Sequence, residues 1–358
     1  MKKIFISLIL SLSLCLGLNS NTYVFGDIIE TELSSDEDYV ALVIKNSSNV
    51  NITPTASYVM LDTAGNTTYL CVEFDCENTN HGFAILDLST YEVVMYALDA
   101  KIPFSEDDRI VYNGYLRFAS LNEDNTATIL NSQVTINQSL LFEDSSRANL
   151  TIAPANIKNE KIQKELSKTS NDEQIRSTPI LVSGGSDLSL VYNAGTNSGS
   201  WTTDCGINAV AIFLRHMDSY FNNNYVPDLQ NTEAALKVVL AGIAYYEFGQ
   251  TTSLSMNNLA SLSNIYMDTY SGTGTSYVLN YIYSWLLYSM RINNGNGKPC
   301  ILYLGGGTTS YWTTAHAVVG VGYTSDATSS SGYDIVNSGW DILGYVQIST
   351  SAPGYMIK

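Results

Sequence analysis

Apolar residues between positions 39 and 153 fall into short runs rich in β-branched and aromatic side chains. They are 40–44, 57–61, 68–74, 82–86, 92–96, 109–112, 115–118 and 126–130. Turn-forming stretches such as Asp62–Gly65 and Asn78–Gly82 separate them, a pattern that predicts strands joined by hairpins. From Thr178 onward the period lengthens. Residues 205–221 repeat their apolar positions as a helix does, and 234–248, 257–267 and 277–292 read as three more helices. Asn231 or Thr232 suits the cap of the helix over 234–248. Strand-like runs follow at 300–304, 317–323, 334–336 and 345–348. Helices first and antiparallel strands afterwards predict an α+β domain.

Two stretches break the pattern. Lys2 and Lys3 precede an apolar run from Ile4 to Leu18, and Val24-Phe25-Gly26 offers a cleavage site. This predicts an export signal peptide over 1–26, too short and too early for a membrane span. No later stretch reaches a spanning length. Residues 155–178 are charged, lack aromatics and hold 5 of the 17 basic residues. Such a stretch predicts an exposed linker, with room for some helix, where proteolytic nicking concentrates. The plan is therefore signal peptide 1–26, sheet-rich domain 27–154, charged linker 155–178 and α+β domain 179–358. At 358 residues the chain has length for two cores.

Charge narrows the partners. The formal net charge is −17, and residues 27–154 carry 20 acidic against 5 basic side chains, whereas 179–358 carry 10 against 5. Nucleic acid and anionic membrane both need a basic footprint, so neither is an expected partner.

With Cys15 lost in the signal peptide, Cys71, Cys76, Cys205 and Cys300 remain. Cys71 and Cys76 flank a VEFD stretch and are either a disulfide or two separate strand residues. Cys300 lies inside an apolar strand and reads as core. Cys205 opens a helix, where unpaired N–H groups favour the reactive thiolate and an imidazolium partner adds to this. Thr203 or Asp204 suits the cap of that helix, and Gly206 leaves room for a substrate carbonyl. Of the 3 histidines, His81 sits in a turn of the other domain. His216 is eleven residues beyond Cys205 on the same helix face, about 16 Å away along the axis. His316, opening a strand, remains as the base. Asn337 ends a later strand, suited to orient the ring through an amide, with Trp340 near enough to shield that bond.

These residues resemble the papain-like cysteine peptidases. The resemblance covers about residues 180–358 and rests on three blocks in order. They are Cys205-Gly206 at a helix start, His316-Ala-Val with Val321-Gly322-Tyr323, and Asn337-Ser338 followed by a Trp and Gly344-Tyr345-Val-Gln-Ile348. Pro299 before the first strand fits as well. The sheet-rich segment is more loosely similar to streptopain-type propeptides, especially at Gly82–Asp87. The resemblance implies a secreted cysteine endopeptidase made as a zymogen, with Cys205, His316 and Asn337 catalytic and no cofactor or metal. Its partners would be a peptide or protein substrate and its own N-terminal domain, acting as an intramolecular inhibitor. Two positions depart from the family. Gly199 stands where a Gln supplies one oxyanion donor, leaving Asn197 as the candidate beside the Cys205 N–H, and Trp340 comes one residue late. Two other readings stay open: a cysteine amidase or transferase on cell-wall or glutaminyl substrates, and a catalytically silent secreted binding protein. Other motifs fail, since Gly305–Ser310 lacks a phosphate-loop lysine and the scattered histidines offer no zinc site.

Overall fold

Fifteen strands, counted among the described residues, join in one mostly antiparallel sheet flanked by helices. The computed structural model describes residues 33, 35–77, 80–114, 117–130, 134–142, 152–171, 179–186, 201–221, 224–230, 233–251, 254–271, 279–282, 298–304, 316–324, 332–338, 342–347 and 354–357. The stretch 1–26, expected to be a signal peptide, lies outside them. Among them, no helix is long and apolar enough to cross a membrane.

The first element corrects a sequence expectation. Residues 40–44, read as a strand, belong to helix α1 (Asp36–Ser48). Tyr39–Ile44 is buried throughout, and a run that is apolar on every side does not distinguish helix from strand. The flanks decide it. The Ser35 side chain accepts from the Asp38 N–H at 3.1 Å, and Asp36, Glu37 and Asp38 favour the helix's positive end. Asn49 closes it in the left-handed region at φ 57°, its N–H bonded to the Lys45 carbonyl.

Strands β1 (Ile52–Leu61), β2 (Thr67–Cys76), β3 (His81–Asp87) and β4 (Glu92–Ala97) form a meander. β5 (Ile110–Tyr112), β6 (Phe118–Leu121), β7 (Thr126–Ile129) and β8 (Val134–Asn137) extend it beyond β1. Met60, Phe83, Ile85, Met95 and Phe118 anchor its core. Cys71 and Cys76 both lie on β2. Five residues along one strand put them on opposite faces and about 17 Å apart, so they do not pair, and both are free thiols.

Residues 155–171, expected to be part of an exposed linker, are helix α2 (Ala155–Asn171). Ion pairs hold it to the N-terminal elements, Lys158 to Asp36 at 3.3 Å and Lys161 to Glu92. The Asn46 amide also donates to the Glu165 carbonyl at 2.9 Å. Two of its four lysines, Lys158 and Lys161, are thus docking groups.

In the C-terminal half come β9 (Ile180–Leu181), helices α3 (Trp201–Tyr220), α4 (Glu233–Phe248) and α5 (Met256–Tyr266), and then β10 (Leu279–Ile282). β11 (Cys300–Leu304), β12 (His316–Tyr323), β13 (Tyr333–Asn337), β14 (Leu343–Gln347) and β15 (Gly354–Ile357) complete the chain. β10 corrects the helix expected over 277–292 at the four residues described there: Leu279–Ile282 pairs antiparallel with Gly354–Ile357, and the rest of that stretch lies outside the described residues. The apolar stretch again fitted either conformation, and a distant strand satisfied its backbone. The cap candidates Asn231 and Thr232 lie outside the described residues.

The two halves share the sheet. β4 pairs with β14 through Ala97 and Gly344, Tyr96 and Tyr345, and Met95 and Val346. Tyr96 stacks on Tyr345 with ring centroids 4.5 Å apart and meets Tyr333 edge-on at 5.0 Å. The Tyr333 hydroxyl donates to the Val93 carbonyl at 2.7 Å. Residues Ser35–Lys358 form one compact unit.

Candidate active site

Helix α3 lies across β12 and β11, and its direction is fixed at both ends. At its C-terminal end His216 Nε2 meets the Ser183 carbonyl at 2.7 Å. A Cβ at Gly184 would lie 2.2 Å from the Tyr220 ring, so the turn after β9 packs closely on the helix end. β9 pairs with Gly322 and Tyr323, the last residues of β12. The C-terminal end of α3 therefore sits over the C-terminal end of β12, and the end bearing Cys205 points towards the strand's start, where His316 is. A second path agrees. A Cβ on Gly206 would meet Leu254 at 3.7 Å, and the Leu254 carbonyl accepts from the Tyr303 hydroxyl at 2.5 Å. Tyr303 pairs with Ala317, next to His316. Cys205 and His316 thus occupy the same end of one helix–strand layer.

All three expected catalytic residues are buried: Cys205 in α3, His316 as the first residue of β12 and Asn337 as the last of β13. β12 and β13 are neighbours, with Asn337 paired to Val319. The His316 Nε2 meets the Ser338 carbonyl at 3.1 Å. A carbonyl only accepts, so Nε2 carries the proton and Nδ1 is the nitrogen with a lone pair. Ser338 is itself held, its N–H and hydroxyl both donating to the Ile342 carbonyl at 3.2 and 3.0 Å. His216 serves as a helix anchor, its ring near those of Tyr220 and Phe221.

Three expectations around Cys205 change. α3 starts at Trp201, so Thr203 and Asp204 lie within the helix rather than capping it, and Cys205 is its fifth residue. Nothing in Trp201–Asp204 breaks a helix, and Asp is at home in a first turn. At the fifth position the Cys205 N–H is taken up by an intrahelical bond, which leaves it unsuited to hold an oxyanion. The helix's field also fades within its first turn, so thiolate formation depends more on His316. Gly206 does not make space for substrate. A Cβ there would lie 2.8 Å from Leu259 Cδ2, so the glycine permits the close approach of α3 and α5. Asn197, Gly199, the 305–310 loop and Trp340 lie outside the described residues.

Burial first, and the Arg117 charge second, push His316 below the ordinary 6.5 to about 3, against the opposing hydrogen bond to Ser338. Arg117 lies in the turn immediately before β6 of the N-terminal sheet and is itself 3% exposed. Neither it nor the Ser338 carbonyl was picked out from sequence. The available signal for Arg117 was slight: it is one of only 5 basic residues in 27–154.

The depressed proton affinity has a measurable consequence. Unfolded chains protonate His316 as pH falls through 6.5, while the folded chain keeps it neutral until about 3. Stability linked to this group is intact above that window and falls through it, by up to about 1.4 kcal/mol per pH unit. Buried Asp334, raised well above its ordinary range, has the opposite sign and favours acid. Urea midpoints at pH 7 and pH 4 isolate the histidine: His316→Gln, which retains a donor for Ser338, is expected to lose less stability over that interval than the wild type. An equal loss in both would contradict the assignment.

No known protein family, curated protein or solved structure matches the chain.

Proposed function

We propose that the chain is a secreted cysteine endopeptidase made as a zymogen. The observation that carries this reading is the placement of Cys205 and His316 at the same end of the α3–β12 layer, with the ring's Nε2 held by a carbonyl. The nitrogen with a lone pair is then the one available as a base. In this reading the Cys205 sulfur attacks a peptide carbonyl carbon as Nδ1 of His316 takes the thiol proton. The imidazolium returns that proton to the departing amine, leaving a thioester. Water, deprotonated by His316, hydrolyses the thioester and restores the thiol. Asn337 helps to orient the ring, and Asn197 remains the candidate oxyanion donor.

The N-terminal half acts as the intramolecular inhibitor. The pairing of β4 with β14, next to the strand that ends at Asn337, supports this role. Activation requires a cut, and a docked helix is a poor protease substrate because cleavage needs locally unfolded backbone. The cleavage region expected over 155–178 therefore narrows to 172–178, which lies outside the described residues.

The test is a substrate panel offered to the secreted chain after a cut in 172–178 and removal of the N-terminal half. Unfolded proteins are expected to be hydrolysed, and iodoacetamide labelling of Cys205 at mildly acidic pH is expected to abolish this. Turnover of muropeptides alone would make it an amidase. Neither turnover nor labelling would make it a silent binding protein.

A further inference from the structure

We propose that the outer edge of β1 is a docking strand, onto which an extended, basic segment of another polypeptide adds as a further strand beside residues 53–59. The inference stands apart from the peptidase reading and does not need it.

The hairpins fix which way each main-chain group points. The Cys76 N–H donates to the Asn80 carbonyl and the Leu88 N–H to the Thr68 carbonyl, so the even-numbered residues of β2 turn towards β3. The odd-numbered ones turn towards β1, where Asp75, Glu73, Cys71 and Tyr69 face Thr53, Ala56, Tyr58 and Met60. Ser57 and Val59 lie between these and direct both N–H and C=O outward. Leu61 has the same outward sense, and β5 reaches β1 there, by pairing Val111 with it. The loop after β4 meets β1 through side chains, Phe104 lying edge-on to Tyr58 with ring centroids 5.9 Å apart. Among the described residues, no main-chain bond joins 53–59 to anything except β2. Nothing buries the edge either. Thr53, Thr55, Ser57 and Val59 are exposed, Val59 at 66%, and Pro54, Ala56 and Tyr58 are half-buried.

An open edge recruits a strand unless charge, proline or a bulge defends it. β1 has no charged residue. Its Pro54 and the bulge between Pro54 and Ala56 defend the first half, which leaves Ser57 and Val59 undefended.

Charge selects the occupant. Glu37 accepts from the Ser57 hydroxyl at 2.7 Å, Glu73 from the Tyr58 hydroxyl at 2.9 Å, and Glu77 from the Asn51 amide. Successive strand residues point to opposite faces, so Glu37 and Glu73 flank the edge on either side. Among the described residues none of the three carboxylates is paired with a cation. A second copy would bring these carboxylates against its own across the new ladder, and like charges there are unfavourable. A segment carrying lysine or arginine on both faces meets them instead, while its main chain bonds to Ser57 and Val59.

The experiment uses the full, uncut chain and a nine-residue fluorescent peptide of threonine and lysine, with lysines at adjacent positions so that both faces are basic. Binding is expected by fluorescence anisotropy. At saturation, amide hydrogen exchange is expected to slow at least tenfold at Ser57 and Val59 and to stay unchanged at Tyr58, which already bonds to β2. The fully N-methylated peptide keeps the charge but cannot donate, and is expected to bind at least tenfold more weakly. Val59→Pro removes an outward N–H without costing a bond to β2, and the same loss is expected. Val59→Lys, which sets a like charge against the peptide, is a second replacement should proline prevent folding. Glu37→Gln/Glu73→Gln is expected to weaken binding at least threefold, and a glutamate version of the peptide should not bind. An N-methylated peptide that binds as tightly, or a folded Val59 variant that binds as the wild type does, would reduce the effect to charge alone and overturn the proposal. Self-association of the wild type that Val59→Pro abolishes would also overturn it, by giving the edge to a second copy.

Discussion

A Cys205→Ala chain, freed of its N-terminal half, is expected to lose peptide hydrolysis by about 10⁴-fold or more, because no other group can form the thioester. The fold should survive. Trimming one buried sulfur costs about 1 kcal/mol, near the centre of what single substitutions do. Asn337→Ala is the informative partner. In a site where the amide alone orients the base, its loss leaves the imidazole free to turn. Here the Nε2 of His316 is held by the Ser338 main-chain carbonyl, which no side-chain change at 337 removes. Asn337→Ala is therefore expected to cost at most about 10²-fold, the lower end of what acid–base catalysis supplies. Single-turnover rates on an unfolded protein substrate decide between them. Retained hydrolysis in Cys205→Ala would end the nucleophile assignment, and equal losses in both variants would give the amide the orienting role instead.

That contrast marks where sequence reasoning stopped. The strands over 52–61, 67–76, 81–87 and 92–97 could be read from alternation and turn residues, and the helices near 205, 234 and 257 from their period. Both differences of element type, at 40–44 and at the described residues 279–282 of the stretch 277–292, fell in mainly apolar runs, where neither period shows itself clearly. Tertiary pairing made one a strand, and Ser35 with three acidic residues made the other a helix. The proposed chemistry could be argued from sequence only where it rests on side chains: elimination among three histidines leads to His316. The ring's Nε2 also bonds a backbone carbonyl, and backbone groups are the same at every position in a sequence. Arg117 was hidden differently, since its effect on His316 depends on a sheet that joins positions about two hundred residues apart. The same sheet made the division at 155–178 look cleaner than it is. Composition changes sharply there, but β4 and β14 pair across it.

That seam is where the largest stability effect is expected. Tyr96 is fully buried, stacked on Tyr345 and edge-on to Tyr333, and its hydroxyl shares a hydrogen bond with Ser47 Oγ at 2.9 Å. It thus holds α1 and β4 of the first half against β13 and β14 of the second. Tyr96→Ala removes an aromatic side chain from a site with few ways to collapse, because the backbone on both sides is locked in strand pairing. The expected cost is about 3–5 kcal/mol. The loss falls on the contact between halves rather than inside either one, so cooperativity should break before either core does. The wild-type chain is expected to unfold in one transition by near-UV and far-UV circular dichroism, and Tyr96→Ala in two. Cutting within 172–178 sharpens the same test. The wild-type fragments are expected to stay together in size-exclusion chromatography, because the β4–β14 pairing and the tyrosine stack do not depend on chain continuity, whereas the Tyr96→Ala fragments should part. A cut would then be necessary for release but not sufficient, and activation would need the N-terminal half to be unfolded or digested as well. Spontaneous separation of the cut wild-type fragments would show the seam to be weaker than its buried aromatic contacts imply.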